Sequence, residues 1–462
     1  MFDEHLKIQI PENVRYIINT LKEDGYEAYI VGGCIRDTLL HKQPNDWDIC
    51  TSAKPQEVID LLECYDDIEV ILTGLKHGTI TAHINGENYE ITTYRIDGEY
   101  SDNRRPDSII FVDDINKDLS RRDFTINAMA YNGGVFFNIT RLVDPYGGWN
   151  DLHDGIIRCV GNSDDRFQED ALRILRALRF AATYGFKIEE KTAEAIHRNK
   201  DLLKNISAER IQSELTKMLC GEGVLDILLN YSDVMAVIIP ELGRCIGFNQ
   251  NNPYHKYTIY DHIAHAVANY KGNDISVKMA LLLHDIGKPE CYTEDHNGGH
   301  FHGHSVYSMH IAKDVMARLK FDNKTRDEVV DLVLYHDSDI YPGGRTVKRW
   351  LNKIGPDMLN KLLFVKIADI EAHSDINKAE RRDDILKVKL IAKGILAERQ
   401  CFQIQDLAIN GWVVMEHVGV PSGPKVGRVL NHLLDKVIGG DIENEIEALI
   451  EEANRYLKEA EG

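Results

Sequence analysis

Residues 31–51 read VGGCIRDTLLHKQPNDWDICT. The segment EAYIVGG predicts a strand that runs into Gly32 and Gly33, followed by a helix and then by Asp46 and Asp48. Two glycines after a strand let backbone N–H groups approach a phosphate near a helix N-terminus, and Arg36 adds a charge-assisted contact. If DWDICT is a strand, its period of two puts Asp46 and Asp48 on one face, where paired carboxylates share Mg²⁺ with a triphosphate. Gly-Gly alone marks an ordinary turn and Asp-x-Asp alone a solvated edge. Their spacing here points to chemistry.

Working outward, Val14, Ile17, Ile18 and Leu21 follow helical spacing after Pro11, and Gly25 ends that run. EVILTG, GTITAHI and NYEITTYR predict further strands, with Asn85-Gly86 as a hairpin turn between the last two. Glu90, on the last of these, is the candidate third carboxylate. Arg104, Arg105, Arg121 and Arg122 gather downstream. Arg121, Arg122, Asp123 and Asn127 are predicted to open a helix on which Asp123 and Asn127 share a face, gripping triphosphate and sugar. Taken singly, Asp123 reads equally well as a cap and Asn127 as a core hydrogen-bonding residue. Beyond about residue 163 the pattern becomes helical.

The bulk properties point to three or four modules. The chain has 462 residues, 43% of them hydrophobic, too long for one compact core. Its formal net charge of −20 disfavours indiscriminate nucleic-acid binding, so RNA contact must use local basic patches. Eight cysteines form no CxxC pair, and no apolar run reaches membrane-spanning length; MFDEHLKIQI lacks the look of a secretory signal. The expectation is a reduced, cytoplasmic protein away from membranes.

The ordered motifs GGCIRD with Asp46 and Asp48, RRDFTINA, DPYGG (144–148), EDALRILRALRF and SAERIQSEL identify the chain as resembling the class II tRNA nucleotidyltransferases. These are the bacterial CCA-adding and poly(A) polymerase family. The resemblance implies an α/β head of polymerase-β type, an all-α neck, an HD domain and a helical tail. The expected divisions are 1–150, 151–225, 226–375 and 376–462. It implies template-free addition of CCA to tRNA from CTP and ATP. An A-adding enzyme, a poly(A) polymerase, or an HD phosphohydrolase with a nucleotide-sensing head are the alternatives.

Asp170, Arg173, Arg176 and Arg179 recur every three residues and are expected to form one helical stripe. The resemblance implies that Asp170 and Arg173 read the Watson–Crick edges of CTP and ATP, a carboxylate accepting from the amino group and a guanidinium donating to ring acceptors. Arg176 and Arg179 are expected at phosphate, or as salt bridges on the helix surface. IDGEYSDNRRP (96–106) resembles the loop that complete CCA-adding enzymes use when switching from CTP to ATP.

YDHIAHAV, LLLHDIGKP, HFHGHSVYSMH, LYHDSD and IADIEAH resemble HD phosphohydrolases. The implied metal ligands are His262, His284, Asp285 and Asp369, with His304 and His336 fitting a second divalent metal. His302 and His310 have weaker claims, and His265 and His373 read as ordinary surface or core histidines. KAERRDDILKVK (378–389) reads as a charged link. LAING and SGPKVG resemble the family's tRNA-binding tail, with Lys425 and Arg428 as phosphate contacts.

Overall fold

The computed structural model describes residues 8–100, 103, 106–132, 142–296 and 298–461. They fall into two compact units, Met1–Gly243 and Arg244–Gly462.

The first unit begins with the helix Glu12–Glu23, which buries Val14, Ile17, Ile18 and Leu21 and stops before Gly25, whose φ is 92°. Each buried aliphatic side chain contributes roughly 1.5–3 kcal/mol. The strands that follow are β1 (Ala28–Val31), β2 (Asp48–Thr51), β3 (Glu69–Gly74), β4 (Thr79–Ile84), β5 (Glu87–Thr93), β6 (Arg95–Asp97), β7 (Ile109–Phe111), β8 (Ala130–Tyr131) and β9 (Leu142–Val143). Seven form one mixed sheet in the order β3-β4-β5-β2-β1-β8-β9, while β6 and β7 make a separate ribbon. The pair β2–β5 is parallel, and β1 and β4 flank it antiparallel. Asn85 (φ 54°) and Gly86 (φ 84°) both take the left-handed conformation between β4 and β5, as a two-residue hairpin turn with this twist demands.

The predicted helix across RRDFTINA does not form. The helix Ile115–Ser120 ends at Arg121, and only a single 3₁₀ turn follows at Thr125–Asn127. Phe124 is extended instead and bridges Cys159, with Thr125 N–H donating to the Arg158 carbonyl at 2.9 Å. In the neck, Leu172–Tyr184 packs on Ala208–Leu219. It is not purely helical: Ile156–Ile157 pairs in parallel with Lys187–Ile188. Ser101, Asp102, Arg104 and Arg105, in the expected switching loop, lie outside the described residues.

The second unit is built around Ile259–Asn269, Ile275–Leu283, His304–Arg318, Asn323–Tyr335 and a helical run Gly344–Ala372. That run breaks at Gly355 (φ 80°) before Pro356, which cannot continue the hydrogen-bond ladder. Ile275–Leu283 is apolar on nearly every face and buried from Ser276 to Leu283, the mark of a central helix. A small hairpin, Thr293–Asp295 with Gly298–His300, was not foreseen. The charged link is itself a helix, Lys378–Ala397, packed on Gly344–Ala372. The helices Gly411–Val418, Pro424–Gly439 and Ile446–Glu461 enclose their own core of Ile409, Val414, Val429, Leu433, Leu449 and Ala453. Among the described residues no helix is long and apolar enough to cross a membrane.

Candidate active site and a histidine-rich candidate metal cluster

Register assembles the first site. Val31 stands opposite Asp48, and Ile49 opposite Ile91, so the Gly-Gly turn, Asp48 and Glu90 meet at neighbouring strand positions. Asp46 lies just before β2 and is exposed, Asp48 is half-buried, and Glu90 is exposed on the face opposite buried Tyr89 and Ile91. Burial, followed by the charge of Asp46 and, less strongly, of Glu90, pushes the Asp48 carboxyl up to about 6, with Arg122 opposing the shift. Asp46 and Glu90 therefore act on Asp48 in the same sense, against Arg122.

Gly32 takes φ 79°, and a Cβ there would stand 3.2 Å from Arg122 Nη1. A Cβ on Gly33 would stand 3.4 Å from Arg36 Nη2. The glycines thus keep room for two guanidinium groups. Arg122 Nη2 donates to Asp118 Oδ2 at 3.1 Å, and Arg121 donates to Asp118 Oδ1 through Nε (2.9 Å) and Nη2 (2.7 Å). Asp118 is fully buried; against the cost of burial, Arg122 and Arg121 hold its carboxyl below its ordinary value. Asp118 escaped the sequence reading, although its i+3 and i+4 spacing to the two arginines was there to be read.

A buried polar chain joins the sheet to the neck. Arg36 Nη1 donates to Asn127 Oδ1 at 2.5 Å, Asn127 Nδ2 to Asp123 Oδ1 at 3.0 Å, and Arg176 Nε and Nη2 to Asp123 Oδ2 at 2.8 and 2.6 Å. Against burial, Arg176 and Asn127 keep the Asp123 carboxyl below the usual carboxylate range. Arg36 also pairs with Asp37 and lies over the rings of Phe180 and Tyr184, so its guanidinium is committed within the fold.

The expected four-residue stripe contains three residues. Asp170 lies outside the helix, at φ −134° between Ser163–Glu169 and Leu172–Tyr184. Its Oδ1 accepts from the Leu172 N–H at 3.1 Å and its Oδ2 from Arg210 Nη2 at 2.8 Å. Arg173 donates to Glu169 (2.6 Å) and to the Arg121 carbonyl (2.9 Å). Arg176 and Arg179 are in ion pairs, with Asp123 and with buried Glu214. Among the described residues, Arg122 Nε, Arg166 Nε and Arg210 Nη1 are buried without a hydrogen-bond partner. Arg166 and Arg210 were not singled out from sequence.

The second site lies wholly in the second unit. His262 is 2.9 Å (Nε2) from Asp369 Oδ1, and His284 Nε2 is 3.3 Å from His262 Nε2. Asp285 Oδ2 faces this group, 3.4 Å from His262 and 3.3 Å from His284. Its Oδ1 faces His304 at 3.3 Å and His336 at 3.6 Å. The two sets, His262–His284–Asp285 and Asp285–His304–His336, each bring ligand atoms within 4.8 Å. Nδ1–H of His284, His304 and His336 is positioned to donate to the carbonyl three residues earlier, which turns Nε2 toward Asp285.

His373, expected to be an ordinary histidine, joins His262 and Asp369 in a third such set. By contrast, His265 stacks on Tyr257, His302 stacks on His300, and His310 is exposed. Lys288 Nζ lies 2.7 Å from Asp285 Oδ2 as an ion pair, but no aligned hydrogen bond satisfies that buried oxygen. An orphaned carboxylate oxygen amid imidazoles suits a first-row divalent metal. In the tail, Lys425 is half-buried and Arg428 exposed in the first turns of Pro424–Gly439.

Residues 28–158 match the poly A polymerase head domain, 185–245 the probable RNA and SrmB-binding site of polymerase A, and 305–453 the tRNA nucleotidyltransferase domain 2. The CCA-adding enzyme of Ligilactobacillus salivarius is 33% identical over 452 residues, covering 96% of each chain. That of Geobacillus thermodenitrificans is 32% identical over 438 residues, 94% of each. The crystal structure of the Bacillus stearothermophilus CCA-adding enzyme in complex with CTP superposes with a TM-score of 0.71 at 27% identity, over 98% of this chain and 99% of that one. With the Gly-Gly turn, the paired aspartates and the arginine-lined neck, these similarities establish that the chain belongs to the CCA-adding enzymes among the class II tRNA nucleotidyltransferases.

Proposed function

We propose that this enzyme builds or repairs the 3′-terminal CCA of tRNA, taking CTP and ATP in turn without a nucleic-acid template. The observation that carries the reading is the carboxylate group at the sheet: Asp48, raised by burial and by Asp46 and Glu90, sits beside a Gly-Gly turn and Arg122. That excess negative charge fits a divalent cation, the family's usual cofactor, and we assign Mg²⁺ to Asp46 and Asp48, with Glu90 as the third carboxylate. When bound, Mg²⁺ orients the triphosphate and lowers the pKa of the attacking 3′-hydroxyl.

The chain's own residues do the rest. Gly32 and Gly33 let the backbone approach the phosphates, and Arg122, whose Nη1 lies beside Gly32, grips them. Arg121 and Asp118 hold Arg122, while Arg36, Asn127, Asp123 and Arg176 keep the neck helix registered against the sheet. Arg179, tied to Glu214, is a brace of the same kind. Asp170, oriented by Arg210, accepts from the amino group of cytosine or adenine, and Arg173 donates to the ring. UTP and GTP present a keto oxygen there, and a buried unpaired acceptor costs roughly 1–3 kcal/mol. CTP bound to the B. stearothermophilus relative supports the nucleotide class.

The division of labour we assign is a head at 1–150, a nucleotide-selecting neck at 151–225, a histidine-rich HD body at 226–375 and a tRNA-binding tail at 376–462. Lys425 and Arg428 contact tRNA phosphates there, so affinity falls with salt. Eight unpaired cysteines support a cytoplasmic setting. A second activity is favoured by the cluster bridged by Asp285: His262, His284, Asp285 and Asp369 hold one divalent metal, His304 and His336 complete a second, and the body hydrolyses phosphate esters at RNA 3′ ends. The transferase reading is tested by replacing Asp46 and Asp48 with alanine. Incorporation of labelled CMP and AMP should vanish while circular dichroism stays native-like and the melting temperature falls no lower than that of the wild type, whereas retained incorporation would overturn the assignment.

A further inference from the structure

A cavity of about 280 Å³ opens over the histidine cluster and is lined by His255, Asp285, His336, Asp369, His373 and Arg381. Arg381 comes from the helix Lys378–Ala397, outside every histidine motif, and also lines an adjoining cavity of about 220 Å³. Its neighbours on that helix are engaged: Lys378 pairs with Asp375 and Arg382 with Glu371. The Arg381 guanidinium makes no ion pair or side-chain hydrogen bond among the described residues. His255 lines the same cavity with its Nδ1 buried and unpartnered, its ring 4.6 Å from that of His373.

An unpaired guanidinium on the wall of a cavity floored by metal ligands is a receptor for an oxyanion, because its planar fork of N–H donors matches two oxygens of a phosphate. Lys288, another cation on the cavity wall, is held by Asp285 and Gln250, so beside the two ligand sets that share Asp285 it is Arg381 that adds a third cationic position for a ligand. Three such positions match the three terminal oxygens of a phosphate monoester, whereas a diester, cyclic or linear, offers two. We infer that Arg381 is the phosphate receptor of the second site and that the site takes a terminal phosphate monoester, such as an RNA 3′-phosphate. This rests on the hydrolytic reading of the cluster and narrows it.

In the reaction, the water oxygen bonds to phosphorus as the bond from phosphorus to ribose O3′ breaks. The water proton ends on O3′, and the products are a free 3′-hydroxyl and inorganic phosphate. That hydroxyl is the group nucleotidyl transfer requires.

The test uses the full chain equilibrated with Mn²⁺, with metal content measured by mass spectrometry and inorganic phosphate binding by calorimetry. Arg381→Gln should weaken phosphate binding tenfold or more with unchanged manganese content, whereas Arg382→Gln should stay within twofold. The wild type should hydrolyse a 3′-phosphorylated oligonucleotide at least tenfold faster than its 2′,3′-cyclic form, with KM raised by Arg381→Gln. Failure of the wild type to take up manganese overturns the metal-site reading together with this one. Normal uptake with phosphate binding indifferent to Arg381, or a preference for the cyclic ester, overturns this inference alone.

Discussion

Replacing Asp48 by asparagine removes a charge that the metal-free fold holds at a disadvantage. Burial, Asp46 and Glu90 raise its carboxyl from 3.8 to about 6. Between those values the folded chain binds more protons than the unfolded one, so this group's contribution to stability falls as pH rises and is fully unfavourable above about 6. Roughly two pKa units correspond to about 3 kcal/mol, reduced to about 1–2 kcal/mol by residual solvent screening of a half-buried site. In EDTA at about pH 8, Asp48→Asn should therefore be more stable to urea than the wild type by that amount, and the gap should shrink by about half at pH 5. The same variant should be inactive in nucleotide addition. A variant no more stable than the wild type at pH 8, with a gap indifferent to pH, would refute the reasoning.

Arg176→Ala strands the buried carboxylate of Asp123 and should lower stability by about 2–4 kcal/mol, read as a drop in the urea midpoint. The loss should lessen in strong acid, since Asp123 is held below its usual range and its contribution disappears as pH falls through that lowered value. Asp170→Ala should raise misincorporation of UMP and GMP relative to CMP and AMP by about 10- to 100-fold, measured by single-turnover competition. Arg210→Ala should produce a smaller shift in the same direction. His304→Ala should remove one of two bound metals per chain without touching the first, as read by elemental analysis after dialysis against Mn²⁺.

Features encoded by neighbours in the chain were legible in the sequence. Gly32-Gly33 and Asp46-x-Asp48 signal through local spacing, and Asn85-Gly86 through the φ its turn requires. What escaped depends on partners brought from afar. RRDFTINA has a helical pattern, but Phe124 is drawn into a bridge with Cys159, a contact that no local propensity encodes. Asp170 leaves the stripe because its carboxylate accepts the Leu172 N–H and Arg210 fixes its other oxygen from 40 residues on. Arg176 looked like a phosphate ligand until Asp123, 53 residues away, claimed its guanidinium. His373 reads as unremarkable by itself and gains meaning only where helices Ile259–Asn269 and Gly344–Ala372 set it beside His262 and Asp369.

The central claim is tested most directly by incubating the pure protein with Mg²⁺ and tRNAs that end before CCA, after C and after CC, supplying CTP and ATP separately and together, and sequencing the products. The account predicts that CTP alone completes CC, that ATP alone extends only the CC-ending tRNA by a single A, and that both together bring every substrate to CCA and stop. Long A tracts, addition of A only when CTP is also available, or no incorporation on any of the three would contradict it.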